Sequence, residues 1–219
     1  MMYPITPTEF KEGLYQQDWY ERDYFISKDG TGEFPNHHCK LTWVASIPFI
    51  MQARNAVDIG CRDGEYTRYL HNNFNHVFCF DYRRRKLFHK NVDLDKITHF
   101  KCGLADEHKI EKVSGGGSMT TGKIPQEKYY EEQLYTLDEF NLKDIDYIKI
   151  DVDGFEERVL RGCVETIKRY QPLLIIEQEN DDRNAIEFCN TLGYEIAAWD
   201  STHRNVIMRK HNNENTNTR

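Results

Sequence analysis

Six cysteines are scattered through the 219 residues, and no two of them form a C-x-x-C pair or join a histidine at zinc spacing. Cys39, Cys61, Cys79, Cys102, Cys163 and Cys189 therefore read as reduced thiols, several of them in strands. Basic charge is also short: 29 Lys and Arg stand against 36 Asp and Glu, for a formal charge of -7. That balance disfavours a broad attraction to nucleic acid or anionic membrane and favours a small or neutral partner. No apolar run approaches the length of a membrane span, and the opening MMYPITPTEFKEG has neither the basic start nor the apolar core of a leader. The expectation is a cytoplasmic protein with no membrane partner. The chain shows no internal repeat, and at 39% hydrophobic residues it can bury one sizeable core.

What is present is an alternation of apolar runs with amphipathic segments, the pattern of an α/β protein with helices on both faces of a mostly parallel sheet. Five strands are expected at NAVDIG, HVFCFD, ITHFKCG, DYIKID and LLIIEQ, with helices over about 64–73, 84–91, 155–170 and 182–192. GYEIAAW and HRNVIMRK follow too closely for a helix between them and should pair as an antiparallel hairpin. Residues 1–54 form an N-terminal extension, aromatic-rich, with a helix from about Lys40 interrupted near Pro48, expected partly over the site. The main domain is assigned to 55–210, and the polar tail 211–219 is expected to be disordered.

The turn after the first strand is the place where backbone comes closest to a ligand in such sheets. Here it reads Gly60, Cys61, Arg62, Asp63, Gly64, which lacks the spacing and the third glycine of the G-x-G-x-x-G dinucleotide pattern. A pyrophosphate reader, and with it hydride transfer from a nicotinamide, is disfavoured. Asp58 is an acceptor-only group, and Gly60 and Gly64 let the chain curl around an ammonium, which describes the amino-acid end of S-adenosylmethionine. Asp81 ends the second strand, where a carboxylate can take both hydroxyls of a ribose. The bland alternative is that both acids cap helices and both glycines only turn the chain. GSMTTGKI, 117–124, falls short of a phosphate loop because Ile124 and Pro125 replace the required hydroxyl and its helix. It reads as a surface loop, with a lid role open. The basic run RRRK, 83–86, reads as a solvated face.

The stretches VDIGCRDGEY, FCFDY, LYTLDEFNLKDIDYIKIDVDGFEERVLRGC and RYQPLLIIEQ, in this order and spacing, resemble the FkbM-type S-adenosylmethionine-dependent methyltransferases. The resemblance runs from about Asn55 to Lys210 and is most specific over 134–178. It implies a class I Rossmann-like methyltransferase fold, a seven-stranded mostly parallel sheet whose last pair is antiparallel, and O-methylation of a sugar or other small hydroxylated acceptor. Carried over, Asp58, Gly60, Cys61 and Gly64 would hold the methionine end and Asp81 the ribose. Gly103, Leu104 and Asp106 would form the adenine edge. Arg62 and Asp63 depart from the family's usual Asn and apolar residue, and Asp153 from its usual Glu.

Methyl transfer needs an aligned nucleophile and, for a poorly acidic hydroxyl, a base. Strand alternation puts Lys149 and Asp151 on one face, and Glu177, ending the next strand, would lie beside Asp151. These two carboxylates are the candidate catalytic pair, with His203 of the hairpin as a further candidate, although a lone turn histidine of this kind reads first as an exposed turn residue. Asp151, Asp153 and Glu177, with Glu156 nearby, can also be read as oxygen ligands for Mg²⁺. A non-catalytic binding module on the same fold is the remaining alternative.

Overall fold

The computed structural model describes residues 24–26, 33–35, 37–83, 88–114, 129–178 and 183–211. Tyr15, Trp19 and Tyr20, most of the basic run, the glycine-rich loop and the C-terminal tail lie outside the described residues, so the expectations for them find no structural counterpart.

Seven strands form the main sheet: β3 (Asn55–Ile59), β4 (His76–Phe80), β5 (Ile97–Phe100), β9 (Ile145–Ile150), β10 (Leu173–Glu177), β11 (Tyr194–Trp199) and β12 (Asn205–Lys210). Their order is β11-β12-β10-β9-β3-β4-β5. Every neighbouring pair is parallel except those made by β12, which runs antiparallel to both β10 and β11. The expected α/β class, the five parallel strands and the antiparallel C-terminal hairpin are all present. The order reverses direction between β3 and β9, the topological switch point at which such sheets open a crevice.

The central strands read as near-continuous apolar runs because both of their faces are covered. Ala56, Val77, Cys79, Tyr147, Leu173, Ile175 and Ile207 point to one side, where Trp43 of α1 (His37–Ser46) and Tyr69 and Leu70 of α2 (Thr67–Asn73) pack on them. Val57, Ile59, Phe80, Ile148, Ile150, Leu174 and Ile176 point to the other. That face is closed by α4 (Glu156–Arg161), α5 (Val164–Tyr170) and α6 (Asn184–Thr191). Pro48 sits in the short 3₁₀ turn Ile47–Phe49 that ends α1, as its missing N–H leads one to expect.

Three features depart from the sequence reading. The helix expected over 155–170 is two helices, because Gly162 packs against the Ala105 carbonyl so closely that a Cβ there would fall 2.0 Å from its oxygen. Asp138 accepts from the backbone N–H groups of Glu165 and Thr166 and from the Thr166 hydroxyl, so the second helix has its own N-terminal cap from a distant segment. The third expected strand stops at Phe100, and Gly103–Leu104 (β6) joins Tyr129–Tyr135 (β8) and Lys109–Ser114 (β7) in a separate three-stranded sheet of order β6-β8-β7. YYEEQLY alternates poorly in polarity and so carries little strand signal on its own. The short helix expected over 84–91 is described only as α3, Phe88–Asn91. A two-stranded hairpin, β1 (Tyr24–Ile26) with β2 (Glu33–Pro35), is the described part of the extension before α1, and β1 lies against α3.

The hairpin turn between β11 and β12 hangs on one buried carboxylate. Asp200, 1% exposed, accepts from the Thr42 hydroxyl of α1, the Asn205 amide, the Thr202 hydroxyl and the backbone N–H groups of Thr202 and Arg204. Asp200→Ala takes the acceptor away from the buried Thr42 hydroxyl and Asn205 amide and should lower unfolding free energy by about 2–4 kcal/mol. Urea denaturation with an unchanged m-value checks this, and a loss under about 0.5 kcal/mol would contradict it.

Candidate functional site

Asp58, Asp81, Lys149, Asp151 and Glu177 share the face of the sheet on which α1 and α2 pack, because alternation gives them the parity of Ala56, Val77, Tyr147 and Ile175. The pairing register completes the arrangement: Asp58 stands opposite Lys149, and Ile175 opposite Lys149 brings Glu177 level with Asp151 just past the end of β9. All five gather at the carboxyl end of the sheet, at the switch point.

The turn after β3 is clamped on both sides. Asp151 donates its backbone N–H to the Ile59 carbonyl at 3.0 Å, while the N–H groups of Gly60 and Cys61 reach the Phe80 carbonyl at 2.9 and 3.3 Å. Gly60 has φ +81°, and a Cβ there would lie 1.8 Å from the Asp151 carbonyl oxygen, so no other residue fits. Gly64, at φ +90°, is closed off by Val92 in the same way. Arg62 adopts φ +47° with its N–H on Asp81 at 3.0 Å, and its partly exposed guanidinium faces Glu65, 3.8 Å away, and the carboxylates of Asp151 and Asp153 at the mouth. The N–H of Asp63 is taken by Glu65 and that of Gly64 by the Cys61 carbonyl. Every N–H from Gly60 to Gly64 thus has a partner inside the protein. A phosphate site needs such groups free.

Asp58 is fully buried; its Oδ2 accepts from the Thr67 hydroxyl at 2.6 Å, and its Oδ1 has no partner among the described residues. Burial pushes its carboxyl up to about 6, against the opposing pull of Lys149 and Thr67. Asp81, also buried, accepts the backbone N–H groups of Arg62 and Arg83 on its two oxygens. The Cys61 thiol turns into the core 3.8 Å from the His99 Nε2, so only its backbone belongs to the turn. Gly103 and Leu104 lie in β6, with Gly103 close to the Tyr82 ring, and Asp106 is ion-paired with Arg158 at 2.7 Å. Arg158 also holds Glu111 of β7, tying α4 to the small sheet.

At the mouth, the Lys149 ammonium contacts Asp151 Oδ2 at 2.6 Å. Glu177 receives Arg204 at 2.9 Å on one oxygen, and a Glu177 oxygen lies within 4.8 Å of one of Asp151. Burial and the Asp151 charge hold Glu177 well above the usual carboxylate range. Burial acts on Asp151 in the same direction, but the Lys149 charge opposes it and Asp151 lies below that range. Oxygen atoms of Asp151, Asp153 and Glu177 lie within 4.8 Å of one another, whereas Glu156 turns away to accept the N–H groups of Val152 and Gly154. His203 occupies the exposed hairpin turn with its ring on Trp199. The hairpin residue that reaches Glu177 is its neighbour Arg204, which the sequence reading passed over; only the extended strand after the turn could have indicated it. Lys149 was visible by alternation, but its link to Asp58 depends on the strand order.

Gly60→Ala should destabilise the fold by more than about 2 kcal/mol, since a Cβ must displace the end of β9 as well as tolerate a left-handed φ. A thermal melt within a degree of wild type would contradict the close approach.

The fold resembles several solved structures, none more than 16% identical among those compared below. The methyltransferase FkbM of Methylobacillus flagellatus aligns with a TM-score of 0.57 at 16% identity, over 78% of this chain and 48% of that one. The chain thus spans about half the length of that protein. Precorrin 8w decarboxylase of Methanobacterium thermoautotrophicum aligns at 0.55 and 15% identity, over 86% and 98% of the two chains. Precorrin-6y C5,15-methyltransferase of Geobacter metallireducens aligns at 0.50 and 14%, over 90% and 96%. No curated protein matches the chain. Among the described residues no helix is long and apolar enough to cross a membrane. The model of the methyltransferase FkbM domain matches residues 58–209, from the buried acid of β3 through β12, and the chain belongs to that family.

Proposed function

We propose that the crevice over β3 and β9 binds S-adenosylmethionine and that the chain transfers its methyl group to an oxygen of a sugar or other small hydroxylated acceptor. The observation that supports the cofactor reading best is the free Oδ1 of Asp58, fully buried beneath a turn whose glycine tolerates no side chain. A buried acceptor without a donor is costly, and the ammonium of an amino-acid moiety supplies one. Asp81 ends β4 and holds the turn through the N–H groups of Arg62 and Arg83, the place where a carboxylate can take the ribose hydroxyls. Gly60, Cys61 and Gly64 shape the turn around the methionine end, and Gly103, Leu104 and Asp106 border the adenine, Asp106 through its Arg158 pair. The partnered N–H groups of the turn speak against a dinucleotide and so against hydride transfer.

The bound cofactor supplies an electrophilic methyl group on a sulfonium. The protein's part is to hold an acceptor hydroxyl in line and take up its proton. Asp151 beside Lys149 and Glu177 beside Arg204 are the carboxylates that take the hydroxyl proton. Lys149 and Arg204 already sit on two of the three clustered carboxylates, which favours this role over a Mg²⁺ site at Asp151, Asp153 and Glu177. His203, on Trp199, is left as a turn residue in this reading.

Calorimetric titration with S-adenosylhomocysteine tests the cofactor reading, with NAD as control. Micromolar affinity, about -8 kcal/mol, is expected for the first and no heat for the second. Because Asp58 titrates near 6 and an ammonium binds its ionised form, affinity should rise about tenfold per pH unit below pH 6 and level off near neutrality, with proton release on binding below pH 6. Asp58→Asn should flatten that profile; a flat wild-type profile would remove Asp58 from the cofactor contact.

Asp81→Ala should weaken binding by about 1–3 kcal/mol from lost charged hydrogen bonds. Once an acceptor is found among saccharides, Asp151→Asn should depress kcat far more than cofactor affinity. Equal turnover in the variant would take the proton-accepting role away from Asp151.

A further inference from the structure

The amino-acid end of S-adenosylmethionine carries a carboxylate as well as the ammonium that Asp58 suits. That carboxylate has to enter a crevice bordered by Asp58, Asp81, Asp151 and Glu177, three of them buried, where like charge opposes it. The glycine turn has no donor to offer. The N–H groups of Gly60 and Cys61 go to the Phe80 carbonyl, that of Arg62 to Asp81, that of Asp63 to Glu65 and that of Gly64 to the Cys61 carbonyl. A side-chain cation is therefore required. The cations that act on Asp151 and Glu177 are Lys149, Arg62 and Arg204. Lys149 is 3% exposed and bonded to Asp151 at 2.6 Å, and Arg204 is bonded to Glu177 at 2.9 Å. Arg83, two residues past Asp81, has its guanidinium over the Tyr82 ring. Arg62 differs from all of these: its guanidinium stands 3.8 Å from Glu65, beyond hydrogen-bond reach, and makes no hydrogen bond among the described residues.

We infer that Arg62 is a cofactor-binding residue, its guanidinium receiving the carboxylate of the amino-acid moiety whose ammonium meets Asp58 Oδ1. The inference rests on the cofactor reading proposed above and adds the partner which that reading lacks. Arg62 lies midway between Gly60 and Gly64, and the charges that act on its guanidinium include Glu65, Asp151 and Asp153. Glu65 and Asp151 also act on Asp58, so the guanidinium and the unpaired Oδ1 border one space. A guanidinium fork matches a carboxylate with two parallel N–H donors. The acids at the mouth attract the fork without bonding it, so a carboxylate meets it with no hydrogen bond to break. The two ends of a zwitterion are thereby recognised by opposite charges.

Glycine takes a left-handed φ without strain, so Arg62→Gly removes the guanidinium and keeps the turn. A cooperative thermal melt checks that the variant folds, and Arg62→Gln repeats the test with a neutral side chain of similar length. Calorimetry then compares S-adenosylhomocysteine with its decarboxylated analogue, which keeps the ammonium. Wild type should bind the analogue about tenfold or more weaker. Arg62→Gly should lose a similar factor with S-adenosylhomocysteine yet bind the analogue within about twofold of wild type, so that the two ligands become nearly equal. Asp58→Asn should instead weaken both ligands, since both keep the ammonium. An equal loss for both ligands in Arg62→Gly would make the guanidinium part of the general field, and an unchanged or tighter affinity for S-adenosylhomocysteine would make it a bystander or an obstruction. Either result, or a wild type indifferent to the carboxylate, overturns the inference while binding of S-adenosylhomocysteine upholds the cofactor reading. Absence of binding by wild type overturns that reading and the inference with it.

Discussion

The backbone contact between the turn after β3 and the end of β9 is the constraint on which the site depends. Asp151 donates to the Ile59 carbonyl, and Gly60 passes so close to the Asp151 carbonyl that a single methyl group would not fit. Parallel strands leave their carboxyl ends free to diverge, and at the switch point the following connections do leave in opposite directions. Fixing Gly60 against Asp151 opposes that divergence. It holds two segments far apart in the chain in one register, so that Asp58, Lys149, Asp151 and Glu177 fall on a common face at a common height.

Charge explains why such a cluster is tolerable in a largely apolar sheet. Asp58, Asp151 and Glu177 would bring three negative charges into a partly dry crevice, and Lys149 brings one positive charge. Burial raises both Glu177 and Asp58, so proton uptake reduces the excess, at Asp58 only as the pH falls toward 6 and below. The residual negative charge suits a ligand that is cationic at its amino and sulfonium groups and offers nothing to a diphosphate. The turn's own N–H groups agree, being bonded to Phe80, Asp81, Glu65 and Cys61. Electrostatics and hydrogen-bond accounting thus support the proposed class of ligand by separate arguments.

Much of this was legible in the chain because it follows from short-range rules. Period-two alternation placed Lys149 with Asp151, apolar runs marked the five parallel strands, and the short spacing before HRNVIMRK required a hairpin. The small sheet was not legible: Lys109–Ser114 is polar on most positions, Tyr129–Tyr135 does not alternate, and their pairing depends on a partner rather than on pattern. The break at Gly162 was hidden too, since glycine inside a helical pattern does not announce the Ala105 carbonyl against which it packs. Arg204 went unseen because its ion pair with Glu177 spans two strands and a turn, and His203 beside it carries the more familiar chemistry.

The turn that sets Arg204 is itself built from afar. Asp200 binds Thr42 of α1, so the helix of the N-terminal region fixes the hairpin, and the hairpin carries the guanidinium onto Glu177. On the other side of the pair, Ser46 of the same helix accepts from Tyr147, next to the ring on which Lys149 rests. Both cations at the acid pair are therefore positioned through α1, one by way of Thr42 and one by way of Ser46. The family match begins at residue 58, after this helix. Residues 37–46 thus belong energetically to the site although the family match does not reach them.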